Sequence, residues 1–214
     1  MSRRLVLLRH GQTAWNLERR MQGHSDIPLD ATGRTQAERA AELLVTLKPA
    51  RVLSSDLLRA RQTAVLVAER VGVELSTHAE LRETETGAWT ALTVDEVIAR
   101  FPERYAARER GEPVGPNEGE TPMQVAARAV PVILDAAAAA SSDATVVVVS
   151  HGGTLRGVIG TLLGLGPEDW RLIGPLANCS WSVLGETLAA GQRGWRLLEH
   201  NAGTLPTPTM GDDG

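Results

Sequence analysis

The order of apolar segments predicts an α/β chain, folded as a three-layer α/β/α sandwich around a mostly parallel sheet. Three observations carry this. Residues 5–8 (Leu-Val-Leu-Leu) and 146–149 (four Val) are short, β-prone and apolar on every position, as strands covered on both faces are. Segments of helical period lie between such runs. Gly and Pro punctuate the joins. At 214 residues the chain suits one domain, or one domain carrying a lobe.

Taken in order, residues 5–8 form the first strand. Residues 32–47 repeat Ala and Leu at helical spacing, with Thr32 as a cap and Pro49 beyond the end. Residues 51–54 make a second strand. Ser55 or Asp56 can cap a helix reaching Arg70, which Gly72 stops. Residues 73–77 alternate as a strand, and 80–93 form a structured loop. Residues 93–110 hold one or two short polar helices broken at Pro102, and 111–120 read as a surface loop. An Ala-rich helix over 121–140 contains Pro131, which should kink or split it. Residues 145–149 are the most deeply buried strand expected, and 150–153 turn into a helix ending near Leu163. Residues 181–184 and 194–198 are late strands. The domain should end near residue 203, with 204–214 as a flexible tail.

Composition excludes several classes. The net charge is -4 and the pI is about 5.8, which argues against a nucleic-acid binder. No apolar run approaches the roughly 20 residues of a membrane span. Cys179 is the only cysteine, so no intrachain disulfide is available, in keeping with a cytoplasmic chain. Of the 22 basic residues, 21 are Arg, the side chain whose planar fork matches phosphate or carboxylate. Residues 1–61 hold 11 basic and 6 acidic residues, so an anionic ligand should be drawn to that part.

An open parallel sheet binds ligands beyond the carboxyl ends of its strands. At those ends stand Arg9-His10-Gly11, then Ser54-Ser55-Asp56 with Arg59, then Arg82-Glu83, then Ser150-His151-Gly152-Gly153. Together they suit phosphate chemistry. Two Arg forks clamp phosphoryl oxygens, and Gly residues and helix N-termini let backbone N–H groups approach. A neutral imidazole is a nucleophile, a second, protonated imidazole stabilises transferring charge, and a carboxyl moves protons. A metal site built from His10, His151, Asp56 and Glu83 has no recognisable ligand spacing. His24, His78 and His200 carry no motif and read as surface or packing residues, and Trp15 and Trp89 either flank the pocket or pack.

Leu8-Arg9-His10-Gly11-Gln12-Thr13 with Asn16, Ser54-Ser55-Asp56-Leu57-Leu58-Arg59, Leu81-Arg82-Glu83 and Ser150-His151-Gly152-Gly153 resemble, in order, the blocks of the histidine phosphatase (phosphoglycerate mutase-like) superfamily. The resemblance implies a mixed sheet with one antiparallel edge strand and catalysis without metal or other cofactor. It implies His10 as the phosphorylated nucleophile, Glu83 as proton donor, and Arg9, Arg59 and His151 as the phosphoryl clamp. Asn16, Gln22, Gly23 and Gly152 would line the phosphate or substrate side. Met21-Gln22-Gly23, Asn178, Ser180-Trp181 and Trp195-Arg196-Leu197 are similar to a subfamily of actinobacterial phosphatases acting on glucosyl-3-phosphoglycerate. Many family members carry Gly-x-Trp-Glu/Gln-Gly, whereas this chain has Gly87-Ala88-Trp89-Thr90-Ala91.

The expectation is a phosphatase of a small phosphorylated substrate working through a phosphohistidine, with residues 90–125 as a lobe setting the substrate. Family likeness also points to a homodimer. A phosphoglycerate mutase shares the core, but no basic cluster follows Glu83 here. A phospho-ligand sensor without chemistry is the third reading.

Overall fold

The computed structural model describes residues 2–112, 114–189 and 192–203. The expected tail over 204–214 lies outside the described residues.

Six strands form one sheet in the order β3-β2-β4-β1-β5-β6. They are β1 (Arg4–Arg9), β2 (Arg51–Ser55), β3 (Leu75–His78), β4 (Thr145–Ser150), β5 (Trp181–Ala189) and β6 (Gln192–Ala202). The first four are parallel. β5 runs antiparallel to β1 and β6 antiparallel to β5, so the antiparallel edge is a hairpin. This hairpin is longer than its apolar stretches suggested. Its outer parts carry polar residues such as Glu186, Thr187, Arg193 and Arg196, held by pairing rather than burial.

Seven helices are described: α1 (Ala14–Leu17), α2 (Ala31–Leu44), α3 (Leu58–Val71), α4 (Val94–Arg100), α5 (Pro102–Glu109), α6 (Pro122–Ala138) and α7 (Gly152–Leu162). Side chains alternate across a strand, so β1 and β4 feed two cores at once. Leu5, Leu7, Val146 and Val148 pack with Ile133 of α6 and Leu155 of α7. Val6, Leu8, Val147 and Val149 pack with α2 and α3, whose inward faces are largely Ala. All eight strand residues are wholly buried, each contributing about 1.5–3 kcal/mol of transfer energy. Small Ala faces let those two helices lie close to the sheet.

Several helix ends differ from expectation, always because a partner distant in sequence takes part. Asp30, not Thr32, caps α2 through Gly33 N–H at 2.7 Å. The N-cap of α3 is Leu57, which has no capping side chain. Asp26 instead accepts from Leu58 N–H at 2.6 Å, which frees Asp56 for other work. Pro102 starts α5 as foreseen, but Pro131 sits inside α6 without splitting it. Among the described residues no helix is long and apolar enough to cross a membrane.

A third apolar cluster lies apart from the two that cover the sheet. Met21, Trp89, Val94 and Val97 are its buried members, with Phe101 and Tyr105 packed against them. The Trp89 ring lies 6.2 Å from Phe101 and 6.3 Å from Tyr105, so it is core rather than pocket wall. Ala91 stands where many family members have Gly, and its φ is +66°. Ala91 N–H bonds Met21 C=O and Ala91 C=O accepts from Arg20, which holds the left-handed conformation in place. That conformation costs an L-residue roughly 1–2 kcal/mol, partly offset in Gly by unfolded-state entropy. Ala91→Gly should therefore stabilise the chain by about 0.5–1 kcal/mol in urea unfolding; a destabilised variant would refute the strain.

Candidate active site

The parallel register of β1 and β4 places Arg9 level with Ser150. The next residues, His10 and His151, therefore leave the sheet side by side, and His10 N–H bonds Ser150 C=O at 3.0 Å. Their ring centroids are 5.1 Å apart. Both rings are almost wholly buried.

The two imidazoles are held in complementary tautomers. His10 Nδ1 lies 2.7 Å from Gly11 C=O, so Nδ1 carries the proton and Nε2 keeps its lone pair. Arg59 Nε–H donates to His151 Nδ1 at 3.2 Å, so that ring carries its proton on Nε2. His151 Nε2 has no hydrogen-bond partner among the described residues. Burial is the larger reason, and the nearby guanidinium of Arg59 the next, that both imidazoles titrate well below the usual histidine range. The protonated second imidazole expected from the sequence is thus corrected: His151 is a neutral donor, because burial first and the Arg59 charge second disfavour its charged form.

Arg59 is fixed by Ser25 C=O at 2.7 Å and Gly23 C=O at 2.9 Å. Arg9 Nη1 donates to Leu176 C=O at 2.7 Å. The loop after β1 is held by Thr63, whose hydroxyl accepts from Gly11 N–H. Asn16 Oδ1 accepts from Thr13, and Asn178 donates to both Asn16 Oδ1 and His10 C=O. Gln22 accepts from Thr13 Oγ1.

Glu83 lies on the N-terminus of α7. Its carboxylate accepts from Gly153 N–H and Thr154 N–H, both at 3.1 Å, and from Thr84 N–H at 2.8 Å. A helix N-terminus favours such an anion. A cavity of about 390 Å³ joins His10, Arg59 and Glu83, with Gln22 and Gly23 in its wall. Gly153 also lines the cavity, whereas Arg9, Asn16, His151 and Gly152 are buried around its inner end without lining it.

Sequence reasoning missed three supports. Arg128 of α6 donates to the backbone carbonyls of Arg82 at 2.8 Å and Glu83 at 2.9 Å, and forks onto Glu120. His24 reaches Glu83 C=O at 2.8 Å and Glu85 at 3.0 Å. Asp56 pairs in bidentate fashion with Arg82, and so anchors the segment rather than capping a helix. Asp56 is held below the usual carboxylate range by that arginine. None has a local pattern. The cavity also takes Arg108, Arg156 and Arg171 from the acid-rich part of the chain, so the expectation that residues 1–61 supply the attraction for an anion is too narrow. Among the described residues no cluster of three or more His, Cys, Asp or Glu is placed to hold a metal ion.

Comparison with known proteins gives the family and several relatives. Residues 5–202 match the model of the histidine phosphatase superfamily (branch 1), and the chain belongs to that family. A glucosyl-3-phosphoglycerate phosphatase of Mycolicibacterium vanbaalenii is 41% identical over 94% of this chain and 95% of its own length. A mycobacterial glucosyl-3-phosphoglycerate phosphatase solved with VO3 superposes with a TM-score of 0.88 at 39% identity, covering 94% of this chain and all of that one (100%). A probable phosphoglycerate mutase of Yersinia enterocolitica is 33% identical over 83% of this chain and 82% of its own.

The buried histidines make stability pH-dependent. Unfolded imidazoles titrate near the ordinary histidine value of about 6.5, and the folded ones well below it. The unfolded chain therefore binds more protons, so the contribution is complete above 6.5 and is lost as pH falls towards the folded values. Unfolding free energy should drop between pH 7 and pH 5, by at most about 1.4 kcal/mol per unit per group. His10→Gln should flatten that drop; an unchanged slope would show that His10 is not held neutral.

Proposed function

We propose that the chain hydrolyses a small phosphomonoester through a phosphohistidine at His10, the intermediate used by its family. The observation that carries this is the tautomer of His10, which leaves Nε2 as a nucleophile beside the Arg59 fork and the His151 donor. Phosphate enters between Arg9, Arg59 and His151, with Gln22 and Gly23 at its side and Asn16 and Gly152 supporting the loops. His10 Nε2 forms a bond to phosphorus while the ester P–O bond breaks in line. Glu83 enters this step as the protonated acid and gives its proton to the leaving alkoxide, which leaves the carboxylate held by the N-terminus of α7. Water then attacks the phosphorus, passes its proton to Glu83, and releases phosphate as the P–N bond breaks. The charge clamp is rigid before substrate arrives, which suits electrostatic stabilisation.

The named relatives are phosphatases of glucosyl-3-phosphoglycerate and a probable phosphoglycerate mutase. They support a phosphoglycerate-type substrate, the glucosylated ester included. Isomerised phosphoglycerate without free phosphate would favour the mutase, and tight binding without turnover the sensor. The lone, buried Cys179 supports a reducing, cytoplasmic setting, and the family likeness supports a homodimer.

His10→Ala should abolish both phosphate release and acid-labile labelling by substrate phosphate. Full activity in that variant sinks the mechanism. Arg128 is a positioning residue: it holds the backbone of Glu83 and does not touch the reacting atoms. Arg128→Gln should lower kcat about 10- to 100-fold with little change in KM, since an error of about 1 Å in a catalytic group can cost that much. Arg128→Lys should recover part of kcat. A rise in KM with kcat intact would refute the positioning role.

A further inference from the structure

Residues 23–26 span the gap between Arg59 and Glu83. On one side they hold the first turn of α3. Gly23 C=O and Ser25 C=O take the Arg59 fork at 2.9 Å and 2.7 Å, and the Asp26 carboxylate accepts from Leu58 N–H at 2.6 Å. On the other side His24, which stands between those two carbonyls in the chain, reaches the backbone of Glu83. Its Nε2 lies 2.8 Å from Glu83 C=O. The segment also packs closely there: Gly23 has a φ of +48°, and a Cβ on it would run into the Thr86 hydroxyl.

A carbonyl oxygen can only accept, so His24 Nε2 carries a proton and donates. Nδ1 faces the Glu85 carboxylate at 3.0 Å, which orients the ring, and Glu120 stands 4.0 Å from Nε2. Arg128 donates to the same Glu83 oxygen at 2.9 Å. Two side chains from different elements thus share one carbonyl. Arg128 ties Glu83 to α6, and His24 ties it to the segment that holds Arg59. Asp56 joins the same two regions through Arg82, one residue short of Glu83. His24 does not line the cavity, so its effect on the reaction passes through Glu83.

We infer that His24 is a positioning residue that sets the spacing between the phosphoryl clamp at Arg59 and the proton carrier at Glu83. It is then neither a surface nor a packing residue. This rests on the phosphatase reading above and adds to it a residue which that reading does not use. The demand on this spacing depends on the leaving group. An alkoxide must receive a proton as the P–O bond breaks, so transfer from an alkyl ester to His10 needs Glu83 in line. A p-nitrophenolate leaves unprotonated and makes no such demand. For either ester, kcat/KM reports the transfer to His10, before the water step that both share.

The test takes the ratio of kcat/KM for an alkyl ester (the better of 3-phosphoglycerate and glycerol 3-phosphate) to that for p-nitrophenyl phosphate. It is measured on the wild type, His24→Gln and His24→Asn. Gln places its amide nitrogen near the position of Nε2 and can still donate to Glu83 C=O, whereas Asn reaches only as far as Nδ1. His24→Asn should lower the ratio about 10- to 100-fold, since an error of about 1 Å in a catalytic group can cost that much. His24→Gln should keep most of it. Because both esters are read on the same variant, a loss of folded protein cancels from the ratio. A ratio unchanged in His24→Asn, or a fall in His24→Gln as large as in His24→Asn, overturns the positioning role while the phosphatase reading stands. A wild type that cleaves only the aryl ester overturns proton delivery by Glu83 and the role of His24 with it. Release of phosphate from none of the esters, with no label on His10, removes the phosphatase reading itself.

Discussion

The register between β1 and β4 is the constraint on which the site depends. Both strands are buried on both faces, so a slip of one residue would exchange every side chain between two filled cores. Eight wholly buried residues oppose that slip. With the register fixed, Arg9 meets Ser150 and the two histidines emerge at one level. Their proximity is therefore a consequence of core packing, not of any attraction between the rings.

Burial then sets their chemistry. Removing two imidazoles from water disfavours their charged forms, and two arginines beside them do so further. A neutral His10 is what a nucleophile requires. The cost is borne by the carbonyls of Gly11, Gly23, Ser25 and Leu176, which take the donors of His10, Arg59 and Arg9. These four lie in connecting segments outside the strands and helices, where backbone acceptors are not already used by a ladder. The same geometry makes the site rigid before any ligand is present.

What the sequence disclosed follows from the range of each interaction. Arg9, His10 and His151 were legible because they stand at the ends of β1 and β4, which apolar runs announce, whereas Arg59 and Glu83 were legible through motif blocks that resemble the family's. The Asp30 cap, the pairing of Asp26 with α3 and the Arg128 staple were not, because the partners are read only once the chain has folded. Asp56 shows the difference well. Locally it is an ideal helix cap, yet Arg82 binds it more strongly than a backbone N–H would, and a neighbouring loop supplies the cap instead. The continuity of α6 through Pro131 is a tertiary effect of the same kind, since its Ala129, Ile133 and Ala137 face stays buried on both sides of the proline.

The arginine excess takes on meaning only after folding sorts it. Arg59 directs donors at the carbonyls of Ser25 and Gly23 and at Nδ1 of His151, which fixes its planar fork beside the two histidines. Arg128 instead forks onto Glu120 and joins three backbone carbonyls of the Glu83 segment. One residue type thus serves as a charge and as a strut. Lys would do the first poorly, lacking the planar fork, and the second hardly at all, since a single ammonium cannot reach a carboxylate and several carbonyls in fixed directions. The two roles meet at Glu83: its carboxylate is placed by α7 from one side, and its backbone by Arg128 from the other. For the proton carrier that we propose Glu83 to be, this leaves little freedom to drift from the line between His10 and the leaving oxygen. That shared restraint links the packing of α6 and α7 to the chemistry at the strand ends.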